Sequence, residues 1–86
     1  MVKGWLYILA LCDGHYYIGS TKNIDQRIAD HMGGRSGYTK KYLPVKLVFS
    51  KMFEDFSVAC RMERRIKRLK SKKITESIIQ KQELNI

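Results

Sequence analysis

The sequence predicts an α+β fold: a small three-stranded antiparallel sheet flanked by about three helices, as one domain over residues 1–86. Three observations predict it. Strand-like apolar runs occupy 5–11, 15–20 and 45–53, whereas apolar residues recur with helical spacing in 24–32, 58–69 and 75–82. An Asp13-Gly14 pair, the signal of a tight hairpin, separates the first two strand-like runs. The resulting order is strand, strand, helix, strand, helix, helix, which favours helices packed on an antiparallel sheet. A chain of 86 residues buries only roughly 60% of its unfolded surface, so a functional site is expected in a surface groove.

Each element follows from its own pattern. Trp5 to Leu11 is apolar on both alternating faces, with Leu6, Ile8 and Ala10 on one and Tyr7, Leu9 and Leu11 on the other; this is a strand buried on both sides. After the turn, His15 to Ser20 returns with Tyr17 and Gly19 on one face and Tyr16 and Ile18 on the other. Asn23 is placed to cap a helix, with Gln26 in the capping-box position. Ile24, Ile28 and Met32 form its apolar stripe, and Arg27 and His31, four apart, share a neighbouring face. Residues 33–44 carry three glycines with Arg35, Lys40 and Lys41, and are expected to form a mobile basic loop. The strand after Pro44 places Val45, Leu47 and Phe49 on one face. Helical spacing resumes from Asp55 to Ser71 with Val58, Met62, Ile66 and Leu69 as the stripe and Glu63 at its flank. A last helix, about Thr75 to Gln82, docks through Ile78 and Ile79.

Charge narrows the partners. Seventeen Lys and Arg against eight Asp and Glu give +9, and eight of the cations fall between Arg61 and Lys73. Crowded like charges repel, so a polyanionic partner is expected, DNA or RNA before a membrane surface. Cys12 and Cys60 have no metal-binding spacing and suit a reducing compartment. The apolar run Trp5–Leu11 is short for a signal core, and Leu11 is too large for a cleavage site. No run approaches the ~20 apolar residues of a membrane span. A soluble, cytoplasmic protein is expected.

The chemistry-bearing residues are spaced in a recognisable way. Tyr7-Ile8 lies on the first strand and Tyr17-Ile18-Gly19 on the second; Arg27 follows ten residues after Tyr17, His31 one helical turn later, and Glu63 stands alone among cations in the late helix. This arrangement resembles the GIY-YIG nuclease superfamily, in particular its very small stand-alone bacterial members, over Trp5 to about Lys73. The first motif is degenerate: Trp5-Leu6-Tyr7 keeps only the tyrosine. The resemblance implies hydrolysis of phosphodiester bonds with one divalent cation, Mg²⁺ or Mn²⁺, held by Glu63. It implies Arg27 as the phosphate clamp, Tyr7 and Tyr17 as the groups that activate or position water, and His31 as an assistant to a tyrosine. Gly19, Lys40, Lys41, Arg64, Lys67 and Lys70 are the expected substrate contacts, with Gly19 allowing close approach beside the tyrosines.

Elementary chemistry agrees with these roles. One carboxylate suffices for Mg²⁺, which keeps several waters and borrows ligands from phosphate. Arginine offers a planar, permanently charged donor fork. A tyrosine of ordinary pKa near 10 is about one part in a thousand ionised at neutral pH, and nearby cations would favour the phenolate. Each residue also has a plainer use: core tyrosines, an exposed Arg27/His31 face, and a Glu63–Lys67 helix pair. The sequence departs from the superfamily where many members carry an asparagine; Thr75 stands twelve residues after Glu63 instead. The expected function is a structure-selective DNA endonuclease acting on single-stranded, flap or damaged DNA in repair or recombination. The alternative is a non-catalytic nucleic-acid-binding module that keeps the fold.

Overall fold

A computed structural model describes residues 2–84; the expected domain limits, 1 and 86, lie outside the described residues. The strands are β1 (Gly4–Ala10), β2 (Tyr16–Thr21) and β3 (Lys46–Phe53). The helices are α1 (Ile24–Met32), α2 (Phe56–Leu69) and α3 (Lys72–Lys81). The sheet order is β2-β1-β3 with both pairings antiparallel, so β1 is central and β2 is an edge. The predicted α+β class, strand number and helix number all hold.

The central position of β1 explains its two apolar faces. Leu6 and Ile8 enter a core with Phe49, Ile66 and Ile78 on the α2/α3 side, and Tyr7, Leu9 and Leu11 enter a second core with Val45 on the α1 side. The hairpin turns at Gly14, whose φ of +89° is open to glycine without strain, and Asp13 accepts from the His15 backbone N–H at 3.1 Å. The β2 pairing sets Tyr7 opposite Gly19 and Leu9 opposite Tyr17 on the α1 face, and Leu6 opposite Ser20 on the α2 face. Three caps fix the helices: Asn23 accepts from Gln26, Asp55 from Ser57 and Ser71 from Ile74.

Four expectations fail, each for a local reason. Val45, Leu47 and Phe49 do not share a face. A bulge pairs Ile8 with Phe49 but Leu9 with Leu47, skipping Val48, so Phe49 turns to the α2/α3 core while Val45 and Leu47 stay with the α1 core. Met32 and Leu69 are the last residues of their helices and are 51% and 43% exposed, so each stripe ends one step early. The last helix begins at Lys72 rather than Thr75, because Lys70 takes a left-handed conformation (φ 48°) and Ser71 caps the new helix at once. The expected mobile loop contains a turn of 3-10 helix, Thr39–Tyr42, pinned by buried Ser36 and Thr39.

Candidate active site

The site is assembled around the edge strand β2. On the α1 side, Tyr7 is nearly fully buried and its hydroxyl meets two partners. Arg27 Nε donates to it at 3.3 Å, and His31 Nε2 lies 2.9 Å away. His31, also fully buried, places Nδ1 2.7 Å from Thr39 Oγ1. Arg27 can only donate, so the Tyr7 oxygen accepts there and its proton is free for His31. The tautomer assigned by this network has Nε2 accepting from Tyr7 and Nδ1–H donating to Thr39.

Electrostatics reinforce that assignment. Burial pushes the Tyr7 hydroxyl up to about 12, against the opposing hydrogen bond from Arg27. Burial, and then the Arg27 charge, hold His31 below its ordinary value, so it is neutral at pH 7. The expectation that cations around the tyrosines favour a phenolate is therefore reversed at Tyr7. The cation nearest it is outweighed by desolvation, and the histidine is not a cation at all.

Tyr17 covers this cluster. Its ring stands 5.0 Å from His31 and 6.3 Å from Tyr7, centroid to centroid. Tyr38 stacks on its other side at 5.4 Å and Tyr42 follows at 5.6 Å, forming a short ladder of rings. Gly19 is explained by its opposite residue. A Cβ there would overlap the Tyr7 hydroxyl and lie 2.5 Å from Tyr7 Cζ, so the space expected for substrate is filled by the Tyr7 ring.

Glu63 reaches the same edge from the other face of the sheet. Its Oε1 accepts from Ser20 Oγ at 2.5 Å and its Oε2 accepts from Lys67 Nζ at 2.6 Å. The carboxylate is near enough to Tyr7 to contribute to its raised pKa. Lys67 connects the two faces, because the same ammonium lies 5.9 Å from the centre of the Tyr17 ring. The four residues Tyr7, Tyr17, Arg27 and His31 thus form one cluster, with Glu63 and Lys67 beside it across β2.

The remaining predicted contacts are dispersed. Lys40 and Lys41 are exposed on the turn that carries Thr39. Lys70 borders a separate cleft beside Tyr16. Arg64 is turned about 160° round α2 from buried Ile66, and lines an outer groove with Arg61, Arg65 and Arg68. Sequence reasoning did not single out Thr39, Ser20 and Tyr38. Nothing periodic marks Thr39 or Tyr38; Ser20 was findable as the residue that follows Gly19 on the opposite face of β2.

A divalent ion can be tested against the donors present. Among the described residues, no three or more His, Cys, Asp or Glu side chains gather at one point. Glu63 alone offers a carboxylate at the site, and it already holds a cation, the Lys67 ammonium on Oε2. That donor set fits a hard ion retaining most of its own waters, and it fits no ion that needs an all-protein cage.

Known proteins resemble this chain in sequence and fold over most of its length. The chain is 35% identical over 85 residues to a UPF0213 protein of Streptococcus pneumoniae, covering 98% of this chain and 86% of that one. It is 43% identical over 68 residues to a UPF0213 protein of Staphylococcus haemolyticus, covering 78% and 83%. The solution NMR structure of a UPF0213 protein from Bacillus halodurans superposes with a TM-score of 0.60 at 33% identity, covering 91% of this chain and 83% of that one. The family model described as the GIY-YIG catalytic domain matches residues 3–76, which include every member of the cluster. The chain therefore belongs to the GIY-YIG nuclease domain family, alongside the UPF0213 proteins.

Proposed function

We propose that this chain, as a single nuclease domain, is a divalent-metal-dependent endonuclease. Its substrate is DNA of selected structure (single-stranded, flap or damaged), and its setting is repair or recombination in the cytoplasm. The observation that carries this reading is the Tyr7 hydroxyl held at once by Arg27 and His31, with the Glu63 carboxylate at the same strand edge. The family supports a nucleic-acid substrate, and a net charge of +9 supports a polyanion.

The residues divide the work by exposure. Arg27 spends Nε on Tyr7 and also engages Tyr17, and its remaining terminal N–H groups serve the scissile phosphate. Tyr17, half-buried and the more accessible of the two site tyrosines, meets the attacking water. Tyr7, behind it, stays protonated and fixes both Arg27 and His31. Tyr7 donates its proton to the neutral His31 Nε2 and so keeps its oxygen lone pairs for Arg27. Glu63 is the ligand for one Mg²⁺ or Mn²⁺, which, when bound, supplies Lewis acidity to the phosphoryl and leaving oxygens. Lys67 must leave Oε2 for that ligand to be free, and substrate phosphate is the anion able to draw it away.

One observation favours a second reading, a nucleic-acid-binding module without turnover. Thr75, where many superfamily members carry an asparagine, is buried, and its hydroxyl donates to the Ser71 carbonyl at 3.2 Å. The deciding experiment incubates the protein with supercoiled plasmid and with single-stranded DNA, with Mg²⁺, Mn²⁺ or EDTA, beside Glu63→Ala. Metal-dependent cleavage lost in the variant is expected. Salt-sensitive binding with no cleavage under any of these conditions would establish the second reading instead.

A further inference from the structure

Two clefts meet on the edge of β2. One, of about 320 Å³, has an apolar wall of Tyr16, Ile18 and Ile66 beneath Lys67, Lys70 and Lys72. The other, also about 320 Å³, is lined by Tyr17 and Tyr38 and shares Tyr16, Ile18 and Lys67 with the first. They are therefore neighbours along the strand edge, one beside Tyr17 and the other towards the junction of α2 and α3.

The lining is unusual for a solvated basic surface. Tyr38 is 59% exposed yet stands 5.4 Å from the Tyr17 ring and 5.6 Å from the Tyr42 ring, so it is braced while much of its surface meets solvent. Tyr16 is held by its hydroxyl donating to Glu76 at 3.3 Å, and Lys72 stands 5.9 Å from its ring centre. Lys67 stands in the same relation to Tyr17. Fixed aromatic faces alternating with ammonium groups are the two components that bind an unpaired polynucleotide: bases stack on the rings and phosphates follow the cations. A duplex offers its bases to no such surface, because each is already stacked within the helix. Clefts of this size are also matched to single nucleotides and are far too small for a double helix.

We propose that these two neighbouring clefts together form a base-binding track for an unpaired segment of the substrate strand. Tyr38 takes one base next to the scissile phosphate, Tyr16 takes another beyond the strand edge, and Lys67, Lys70 and Lys72 carry the phosphates between and after them. The proposal rests on the nuclease reading for the identity of the ligand, and it adds where the strand runs and why it must be unpaired there. Lys72, Tyr16 and Tyr38 are positioning residues, since none of them touches the reacting atoms.

The test measures binding and cleavage separately. Fluorescence anisotropy in EDTA would compare a labelled oligothymidylate, an abasic oligonucleotide of equal length and a hairpin duplex. The proteins would be the wild type, Tyr38→Ala, Tyr16→Leu and Lys72→Gln, with circular dichroism to verify folding. Tyr38→Ala is expected to weaken oligothymidylate binding about tenfold and to leave the abasic and duplex probes unchanged. Tyr16→Leu keeps the apolar wall without the aromatic face and should do the same to a lesser degree. Lys72→Gln should weaken the base-containing and abasic single strands equally and lower the salt slope by about one. Equal losses on single strand and duplex, or none in the two tyrosine variants, would overturn the track while leaving the nuclease reading intact. Selective single-strand losses in a protein that never cuts would overturn catalysis and leave the track standing. Absence of wild-type binding to every probe would overturn both.

Discussion

The two faces of the sheet meet at one strand edge but are built in opposite ways. On the α1 face, Tyr7, His31 and Thr39 are buried, joined by short hydrogen bonds and fully partnered; among the described residues no buried side-chain polar atom lacks a partner. On the α2 face, Glu63 and Lys67 are partly exposed and meet as an ion pair four residues apart on one helix, a kind of contact that contributes little to stability. The first half is rigid because breaking it strands polar groups in the core. The second half exchanges partners at little cost. The difference teaches where preorganisation would reside in the proposed mechanism: Arg27 is held in place by Tyr7 beforehand, whereas the Glu63 carboxylate would first have to leave Lys67.

The largest expected effect would come from the loose half. Glu63→Ala should reduce cleavage on the order of 10³-fold while lowering stability by only about 1 kcal/mol, because a partly exposed ion pair and the hydrogen bond from Ser20 are lost and no apolar core contact with them. Single-turnover cleavage and a melting curve on the same sample would check both parts. A collapse in stability would show that Glu63 belongs to the rigid half and would erase the contrast. Arg27→Ala follows, at about 10²-fold in rate with a smaller loss in substrate affinity, since the proposed mechanism puts its guanidinium at the reacting phosphate. A loss confined to affinity, with unchanged rate at saturation, would make Arg27 a general phosphate contact instead.

The rigid half should respond in stability. Thr39→Val leaves His31 Nδ1 buried without its partner and should cost about 1–3 kcal/mol. Gly19→Ala forces a methyl group into the Tyr7 ring and should cost about the same. Either shift is measurable, since 1 kcal/mol moves the melting temperature by about 4–8 °C in a domain of this size. Lys67→Met provides the opposing case: stability within about 0.5 kcal/mol of wild type, and tighter Mn²⁺ binding by electron paramagnetic resonance because the resident cation is gone. A weaker Mn²⁺ affinity in that variant would show that Lys67 assists the ion and does not compete with it.

This division also explains what the sequence made legible. The central strand announced itself because both faces of β1 are apolar, and the Asp13-Gly14 turn and the Asn23 cap are local signals read without tertiary knowledge. Tyr7, Tyr17, Arg27 and His31 were singled out by the family resemblance, and hairpin pairing with helical spacing accounts for their sharing one face. Thr39 was hidden: its partner lies eight residues back, and a threonine between glycines and lysines carries no periodic mark. The bulge at Val48 was hidden too, since alternation predicts a face but not a slip in register, and one skipped residue sent Phe49 to the other core. The direction of the Tyr7 shift depends on a balance between burial and a nearby charge. Charge can be counted in a sequence, but burial of a particular hydroxyl cannot.

The smallest expected effect concerns protons, and it distinguishes the two halves without altering a contact in the wild type. His31 is held below its ordinary value of 6.5 mainly by burial. As pH falls below about 6.5, the unfolded chain takes up a proton at this histidine and the folded chain does not, so the unfolded state binds more protons and stability declines. The contribution is fully present above the unfolded value and is lost progressively as pH falls towards the folded one. Melting temperatures across the range from about pH 7.5 to pH 5 should therefore decrease in the wild type, with a shallower slope in His31→Gln, whatever the absolute stability of that variant. Glu63→Gln should leave the slope as it is in the wild type, because His31 is shifted by burial, Arg27 and Asp30 and not by this side chain. Equal slopes in the wild type and His31→Gln would mean that His31 titrates freely. In that case the neutral acceptor assigned to Tyr7 would be wrong, and with it the claim that the α1 face is set before substrate binds.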